Sequence, residues 1–378
     1  MKIVMIAGNG GSGGLIAYLK GILSVDVVPD NWMIRFYCGP ELAKKLHHVA
    51  EGIDICVTGV AEESGIEIIL GKPLPIKMIA DIDEFEPDIV FFCNGYIRRG
   101  LESYPNMMVL HNQLYIDNNQ FMKQLKTLTF RKIFTTLGFR YRVRQSLKEA
   151  SAVVFLSEFS RNQTCEMGVK FRSGKVIPFG FESENRATIP QVKALNLPIE
   201  AIYISALFPY KNHIPLIKAL AKLKENGCSI NLKLVGNGSA KYKQKLCRLI
   251  RKTGLGNNIE FCDWVEHSDI KYMIDESDIF IYASSTETTG YGLLEGMARG
   301  VAIVSSDKAG FPLILGEGGK YFNPDDVDSI CETIRTMITD EALRDKSAVI
   351  ALERCKCFSW ESHASALYNY LSESISYK

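Results

Sequence analysis

The chain has 378 residues, and its 44 lysine and arginine residues nearly balance 43 aspartate and glutamate residues, giving a formal net charge of +1. This length exceeds what one ordinary hydrophobic core supports and predicts two domains. The near-neutral charge gives no whole-chain basis for nucleic-acid binding, so electrostatic targeting would have to come from a local patch.

Ten cysteines are scattered through the sequence without a Cys-x-x-Cys pair. Cys38, Cys93 and Cys262 lie in strand-like apolar runs, which favours buried thiols in a reducing cytoplasm over a disulfide framework or a metal site. The N-terminal apolar run is too short for a secretory signal, and no stretch approaches the roughly 20 apolar residues of a membrane span.

Short runs rich in Val, Ile and Phe alternate with longer amphipathic segments, which is the pattern of parallel sheets with helical crossovers. The predicted strands are 2–7, 33–38, 88–93, 107–111 and 152–157 in the first half, and 201–205, 231–236, 258–262, 278–284 and 301–306 in the second. We therefore expect two α/β layers in series. The expected parts are a first domain at 1–181, a polar linker at 182–198, a second domain at 199–359 and a last helix at 360–378 that returns to the first domain.

The loop GNGGSGG, residues 8–14, follows the first predicted strand and precedes a helix. Glycines let backbone N–H groups approach an anion closely, and the helix N-terminus adds partial positive charge. The loop therefore suits a phosphate, with Gly13 and Gly14 as candidate binding residues. It is not a clean dinucleotide fingerprint and lacks the lysine of a P-loop, so a structural turn is the alternative.

The segment 121–148 carries eight basic residues and no acidic one, with five aromatic residues among them. Basic and aromatic side chains together suit anionic lipid headgroups, to which each Lys or Arg contributes about 1 kcal/mol. We predict a membrane-facing or acceptor-facing patch that includes Arg131, Lys132, Arg140 and Arg142. A solvated basic helix that packs its apolar face on the first domain is the alternative.

Lys211, in the stretch ISALFPYKNHIPLIKAL, lies between a predicted strand and a helix. At such a turn an ammonium group can face a ligand bound outside the carboxyl ends of parallel strands. A solvated surface lysine is the default interpretation, so Lys211 is a weak signal by itself.

The stretch SSTETTGYGLLEGMARG is the most informative one, because it places Glu287 on a loop and Glu295 about one turn into an apolar helix. A pyrophosphate could lie on the N–H groups of Gly290, Tyr291 and Gly292, since glycines allow close approach. The two carboxylates would then accept hydrogen bonds from hydroxyls, which indicates a sugar on one side and a ribose on the other. The alternative is that both acids only complement the dipole of the helix at its N-terminus. This alternative explains Glu295 poorly, because Glu295 lies among apolar residues of the helix.

The pattern S-x-x-E-x-x-G-x-x-L-L-E-x-M-A-x-G, followed by the strand VAIVSS, resembles the E-x7-E signature of the family 4 glycosyltransferases. Other segments fall in the matching order: EPDIVFF then VLH, AVVFLSEFSRNQ, VIPFGFE, FPYKN, LVGNG, DESDIFIYAS and FSWE. The resemblance covers nearly the whole chain, strongly in the second half and loosely in the first. It implies an α/β GT-B fold, with two Rossmann-like domains facing across a cleft, and a nucleoside-diphosphate sugar donor.

The resemblance also implies a role for each matching residue. Glu287 would bind hydroxyls of the transferred sugar near the reacting carbon, and Glu295 would hold the nucleotide ribose. Lys211 would balance the departing diphosphate. His111 would contact the donor sugar, although a histidine that closes a buried strand is often only structural. Gly236, in LVGNG, joins the donor-binding residues.

Three positions depart from the family pattern. Ser205 and Ala206 lie where the family commonly has an arginine that accompanies the lysine. Thr289 stands where an aromatic residue is usual, and Leu313 where an acidic residue is often found. These departures bear on the identity of the donor rather than on the fold.

Asp81 and Asp83, in the string DID, match the metal-binding Asp-x-Asp of the other glycosyltransferase architecture but do not lie at the carboxyl end of a strand. We therefore predict transfer without a metal or cofactor, in which a lysine and a helix dipole replace Mg²⁺.

The expected function is that of a retaining, hexosyltransferase-type glycosyltransferase of bacterial cell-surface polysaccharide or lipopolysaccharide synthesis. Its acceptor would be lipid-linked or a saccharide, it would lie on the inner face of the cytoplasmic membrane, and it would bind no nucleic acid. One alternative is a catalytically silent protein that binds a nucleotide sugar or a membrane, which the missing arginine supports. The other is a nucleotide-sugar epimerase or phosphorylase of the same fold.

Overall fold

The structure is a computed structural model that describes residues 1–8, 13–24, 28–48, 52–57, 71–182, 185–195, 197–263 and 265–376. The chain divides into two compact units. The first comprises Met1–Phe121, Leu128–Gly180 and Phe358–Lys378, and the second comprises Met122–Thr127 and Phe181–Cys357.

The first unit is built on a parallel sheet with the strand order β3-β2-β1-β4-β5-β6-β7. Its described strands are β1 Lys2–Ile6, β2 Met33–Cys38, β3 Asp54–Val57, β4 Ile89–Phe92, β5 Asn106–Leu110, β6 Ala152–Phe155 and β7 Gly174–Val176. Its helices include α1 Gly13–Leu23, α2 Pro40–Leu46, α3 Ile76–Phe85, the first half of α4 Asn118–Leu125, α5 Phe130–Glu149 and α6 Glu158–Glu166. From Met122 onward, α4 belongs to the second unit.

The central strands of this sheet are buried on both faces, as the sequences IVFF of β4 and AVVF of β6 require. The five strands predicted in this half are confirmed to within two residues. The edge strands β3 and β7 were not predicted, because their short sequences DICV and GKV are only partly buried and carry no apolar run.

The second unit holds a parallel sheet with the order β10-β9-β8-β11-β12-β13. Its described strands are β8 Ile199–Ile204, β9 Ile230–Val235, β10 Ile259–Cys262, β11 Ile279–Tyr282, β12 Ala302–Ser306 and β13 Lys320–Phe322. Its helices are α7 His213–Glu225, α8 Ala240–Lys252, α9 His267–Glu276, α10 Tyr291–Arg299, α11 Phe311–Leu315, α12 Val327–Thr339 and α13 Glu341–Cys355. The five strands predicted here are also confirmed to within two residues, and the short edge strand β13 was not predicted.

Part of the polar segment 182–198 is hydrogen-bonded to the turn that follows α10 in the second unit. The N–H of Ala187 donates to the carbonyl of Ala298 at 2.7 Å, and that of Gln191 to the carbonyl of Gly300 at 2.9 Å. Gly300 has φ +60°, and a Cβ there would lie 2.9 Å from Pro190. This part of the segment therefore packs along the turn between α10 and β12.

The last helix, α14 Trp360–Ser374, packs within the first unit. Its Trp360 lies so close to Gly21 and Gly180 that a Cβ at either glycine would overlap the indole ring. The His363 Nδ1 atom lies 2.7 Å from the carbonyl oxygen of Pro178, and the Tyr370 hydroxyl lies 2.9 Å from that of Ser173.

Candidate functional site

The turn that carries Lys211 is held against the loop that follows β11. Asn212 has φ 53°, in the left-handed region, and its side-chain amide donates to the Ala283 carbonyl at 2.7 Å and to the Ser285 hydroxyl at 2.6 Å. The N–H of Ser285 donates back to the carbonyl of Tyr210 at 2.8 Å. These bonds join the carboxyl ends of β8 and β11, which are neighbouring strands.

Lys211 and Glu287, predicted from separate motifs, form an ion pair between Nζ and Oε1. Their side chains are only 9% and 19% exposed. The Tyr282 hydroxyl donates to the same Oε1 at 3.3 Å. The Lys211 Nζ atom also lies 5.3 Å from the centre of the Tyr210 ring, within the range of a cation–π contact. The pair is thus a shielded, neutral unit.

The N-terminus of α10 is closely packed around two glycines. Gly290 has φ 80°, and a Cβ there would lie 2.8 Å from the Phe311 ring. A Cβ at Gly292 would lie 3.0 Å from the Tyr282 ring and 3.1 Å from the Ile204 carbonyl oxygen. The first N–H groups of a helix have no partner within it, so this terminus is suited to an anion.

Glu295 lies in an environment opposite to that of Glu287. It is 7% exposed, and burial, followed by the neighbouring carboxylate of Glu182, raises the pKa of Glu295 to about 8. Glu182 itself accepts a hydrogen bond from the Tyr291 hydroxyl at 2.6 Å. Glu295 therefore holds a proton at neutral pH, and its carboxyl group can donate as well as accept a hydrogen bond.

Gly236, after β9, lies beside the position where the family commonly has an arginine. It has φ +129°, and a Cβ there would lie 2.5 Å from the Ser205 carbonyl oxygen. The Ser205 hydroxyl lies 3.1 Å from His213 Nε2. Burial, followed by the charge of Lys211, lowers the pKa of His213 to about 3, so this histidine is neutral. His213 was not predicted from the sequence, although this residue directly follows the FPYKN string.

Two threonines beside Glu287 have buried hydroxyls. Thr286 and Thr289 are 2% and 5% exposed, and neither side-chain oxygen has a hydrogen-bond partner among the described residues. Buried polar groups without partners are uncommon in folded proteins. The loop between β11 and α10 therefore has unused hydrogen-bonding capacity next to the ion pair.

In the first unit, His111 follows β5 and packs its ring edge-on against Tyr18, with 4.7 Å between ring centres. Burial, followed by the neighbouring His363, lowers the pKa of His111 to about 4, so the imidazole is neutral at physiological pH. Of the glycine loop, residues 9–12 lie outside the described residues. Gly13 begins α1, and a Cβ at Gly14 would meet nothing within 4 Å, so packing does not demand glycine there.

The prediction that Arg142 belongs to a surface patch is wrong. Arg142 is 4% exposed, and it donates to the Ile97 carbonyl at 3.1 Å from Nε and 2.5 Å from Nη2. Its Nη1 atom lies 3.1 Å from the Glu149 carboxylate. The sequence pattern missed this because Arg142 lies on the inward face of α5, where a backbone carbonyl and a carboxylate satisfy its charge.

The other patch residues differ in exposure. Lys132 is exposed, whereas Arg140 is half-buried, bonded to the Asn118 side chain and stacked 4.2 Å from the centre of the Phe121 ring. Burial lowers the pKa of Arg140 to about 10. The side chain of Arg131 lies outside the described part of the chain.

Asp81 and Asp83 lie on α3 and have structural partners. Asp81 accepts hydrogen bonds from Tyr37 and, at 3.1 Å, from Arg35, and Asp83 accepts one from Tyr104 at 2.8 Å. Within the ranges that the structure describes, no group of three His, Cys, Asp or Glu residues could hold a metal ion.

Comparison with known proteins shows similarity to glycosyltransferases. Residues 185–352, nearly all of the second unit, match the model of the family described as glycosyl transferases group 1. Over 231 residues the chain is 25% identical to the O-antigen chain mannosyltransferase B of Escherichia coli, which covers 58% of this chain and 60% of that protein. These matches confirm the predicted resemblance to glycosyltransferases.

A second relative is the N-acetylgalactosamine-N,N'-diacetylbacillosaminyl-diphospho-undecaprenol 4-alpha-N-acetylgalactosaminyltransferase of Campylobacter jejuni. It is 31% identical over 164 residues, which cover 43% of each chain. The chain thus spans less than two thirds of the length of these curated relatives. The crystal structure of Anabaena Alr3699/HepE in complex with UDP-glucose superposes with a TM-score of 0.76 at 21% identity, covering 99% of this chain and 100% of that one. The predicted two-domain GT-B fold is confirmed.

Replacing Glu295 with glutamine should change how stability depends on pH. The carboxyl pKa is near 4.3 in an unfolded chain and about 8 in the folded one, so between these values only the folded chain holds the proton. Unfolding then releases a proton, and the free energy of unfolding falls by on the order of 1 kcal/mol for each pH unit of increase. We expect urea unfolding across this range to show that fall in the natural protein relative to E295Q.

The control is Glu317→Gln, which removes a carboxylate that is 80% exposed in the same unit. This variant should keep the pH dependence of the natural protein. Parallel stability curves for E295Q and the natural protein would show that Glu295 is ionised in the folded state.

Proposed function

We propose that the chain is a retaining, hexosyltransferase-type glycosyltransferase that moves a sugar from a nucleoside-diphosphate sugar to a saccharide or lipid-linked acceptor in cell-surface polysaccharide or lipopolysaccharide synthesis. The observation that carries this proposal is the shielded Lys211–Glu287 ion pair beside the N-terminus of α10. The names of the two relatives, an O-antigen mannosyltransferase and a diphospho-undecaprenol glycosyltransferase, support the substrate classes. The UDP-glucose of the structural neighbour supports the donor class.

The positive groups of this site suit a diphosphate. The Lys211 ammonium and the first N–H groups of α10 would stabilise the charge that develops on the diphosphate as its bond to the sugar breaks. Among the contacts of the described residues, Lys211 and Tyr282 both use Oε1 of Glu287, which leaves Oε2 to accept a sugar hydroxyl. Glu295 would hold the nucleotide ribose.

The state of Glu287 supports front-face transfer. Its carboxylate is engaged by a lysine and a tyrosine, which weakens it as a nucleophile. The bond between the anomeric carbon and the diphosphate oxygen would break while the acceptor hydroxyl attacks from the same side. The acceptor's proton would pass to the departing diphosphate oxygen, and the anomeric configuration would be retained.

Thr289 is the residue that we propose to influence donor choice. It replaces the aromatic residue usual in the family, and its buried hydroxyl has no partner among the described residues. A site built to hydrogen-bond a substrate hydroxyl rejects analogues that lack it, because its own polar group would stay unpaired. Thr289 and Thr286 could each meet such a hydroxyl.

The apolar surface of α5 supports attachment to a membrane. Phe130, Phe134, Leu137 and Tyr141 are 77%, 60%, 43% and 62% exposed, and their spacing places them on one face of the helix. Lys132 is exposed on the same helix. Throughout the described ranges, every helix is too short or too polar to cross a membrane. We propose peripheral binding to an anionic membrane, at its cytoplasmic face.

Replacing Lys211 or Glu287 with alanine should lower the turnover number for sugar transfer by about 10²–10³-fold, the usual effect of removing one group that stabilises transition-state charge. Transfer would be measured with radiolabelled nucleotide sugars and a lipid-linked acceptor, with product sugars identified. The matched control is Lys233→Ala or Glu276→Ala, which breaks a more exposed ion pair in the same unit. If the natural protein binds the donor but transfers no sugar, the alternative of a catalytically silent binding protein is favoured. If the sugar is altered but not transferred, the alternative of an epimerase is favoured.

Transfer should not need a divalent metal, because Lys211 and the α10 terminus supply the positive charge. We expect the rate with excess EDTA to equal the rate with added Mg²⁺ or Mn²⁺. A rate that collapses in EDTA and returns with one of these ions would refute this.

Replacing Phe130 and Phe134 with serine should weaken binding to vesicles that contain phosphatidylglycerol, because two exposed aromatic anchors are lost. Lys132→Gln should weaken binding chiefly at low salt. Co-sedimentation measures both effects. The control is Val349→Ser, at a residue that is 49% exposed in the second unit. Equal sedimentation of all variants would exclude α5 as the membrane contact.

A further inference from the structure

Helix α8, Ala240–Lys252, carries positive charge that has no part in the function proposed above. Its sequence AKYKQKLCRLIRK contains six basic residues and no acidic one. Tyr242, Leu246 and Ile250 recur every four residues and are buried, so they form the face that packs on the second unit. Most of the basic residues lie on the side of the helix that faces solvent.

Five of the six cations form one exposed row, which we call the basic stripe: Lys241, Lys245, Arg248, Arg251 and Lys252. From first to last the stripe spans roughly 16 Å along the helix axis, at about 1.5 Å for each residue. Lys243 differs from the other five cations, because it is half-buried, paired with the Asp263 carboxylate and 5.1 Å from the centre of the Phe261 ring.

The charges of the basic stripe are not compensated within the protein. In the ranges that the structure describes, no carboxylate forms an ion pair with any residue of the stripe. Cations three or four residues apart, such as Lys241 and Lys245, repel each other and destabilise a helix. Helix α13 of the same unit instead mixes three acidic and three basic residues. An anionic partner would relieve the repulsion that α8 retains.

The excess of positive charge extends beyond α8 in the sequence. Residues 211–258 include eleven basic residues and one acidic residue, Glu225. Helix α7 packs against α8, and its Lys218 is exposed as well. The basic stripe therefore belongs to a longer part of the chain in which negative charge is scarce.

The character of the stripe favours lipid headgroups as the partner. Clusters of roughly four to eight Lys and Arg residues on an amphipathic helix are typical of contacts with anionic lipids. Single-stranded nucleic acid is usually bound with exposed aromatic side chains on which bases stack. The one aromatic residue of α8, Tyr242, is only 3% exposed. The choice of a membrane rests in part on the proposed function, which brings the chain to a lipid surface.

We propose that the basic stripe of α8 binds the headgroups of an anionic membrane, as a contact additional to the one proposed for α5. The large apolar side chains that are exposed in the described chain all lie outside α8. The contact is therefore electrostatic and confined to the membrane surface, without insertion of the helix. Because salt screens exposed charges, binding through the stripe should fall steeply as the ionic strength rises.

Two matched variants of the full chain test this proposal. The stripe variant combines three substitutions: Lys245→Gln, Arg248→Gln and Lys252→Gln. The control variant removes the same number of lysines and arginines from exposed positions of the same unit outside α8: Lys320→Gln, Arg335→Gln and Lys346→Gln. Both are made in the background of Phe130→Ser with Phe134→Ser, which reduces any contribution of α5. Because all six side chains are exposed, both variants should unfold at the temperature of the background protein.

Co-sedimentation with vesicles of phosphatidylcholine, with and without phosphatidylglycerol, measures the contact. At low salt, the background and control proteins should bind the vesicles that contain phosphatidylglycerol. The stripe variant should bind them on the order of a hundredfold more weakly, because each Lys or Arg near an anionic surface strengthens binding by roughly fivefold. Equal binding by the stripe and control variants would overturn the proposal, and so would a background protein that does not bind these vesicles.

Two further measurements separate this proposal from its alternatives. Single-stranded and double-stranded oligonucleotides are titrated into both variants. If only the stripe variant loses oligonucleotide binding while both variants bind vesicles equally, the partner is a nucleic acid and the proposal is wrong. Sugar transfer in detergent micelles should proceed at equal rates in both variants. If neither the natural protein nor the variants transfer sugar while vesicle binding still depends on the stripe, the proposed function fails and the membrane contact stands.

Discussion

The ion pair between Lys211 and Glu287 is the interaction on which the second unit's candidate site depends. It connects the turn after β8 to the loop after β11, at the carboxyl ends of two neighbouring strands. The left-handed Asn212 makes the connection possible, because its side-chain amide fixes the turn to Ala283 and Ser285. A shielded charge that lost its partner would be strongly destabilising. The geometry of the site therefore depends on the ion pair, and the ion pair depends on that geometry.

The two glutamates of the site are stabilised in different ways. A lysine ammonium and a tyrosine hydroxyl contact the carboxylate of Glu287, whereas burial and the neighbouring Glu182 oppose a charge on Glu295 and raise its pKa to about 8. A ribose that donates hydrogen bonds would favour the ionised form of Glu295, since hydrogen bonds to a carboxylate lower its pKa. On the proposed function, binding of the nucleotide would therefore be coupled to release of a proton.

The sequence predicted those features that depend on local pattern. A strand buried on both faces appears as an unbroken apolar run, such as the IVFF of β4, and the strands of this kind were found. Lys211 and Glu287 were singled out because each lies in a recognisable strand-to-helix turn, and the structure pairs them, while their roles stay predictions. Features that depend on residues distant in the sequence were missed. Arg142 points inward because the Ile97 carbonyl accepts its hydrogen bond, and Tyr282 reaches Glu287 because of the path of the loop between them. The basic composition of segment 121–148 shows that positive charges are close together in the sequence, but it does not show which of these side chains are exposed to water.

The pairing of Lys211 with Glu287 bears on ligand binding. An ammonium group has three N–H donors, so on the proposed function Lys211 would donate to a diphosphate oxygen while it still donates to Oε1 of Glu287. Oε2 of Glu287 would accept a sugar hydroxyl at the same time. A complete donor would therefore gain contacts at both residues, whereas free diphosphate would gain one at Lys211 alone, which favours the donor over the leaving product.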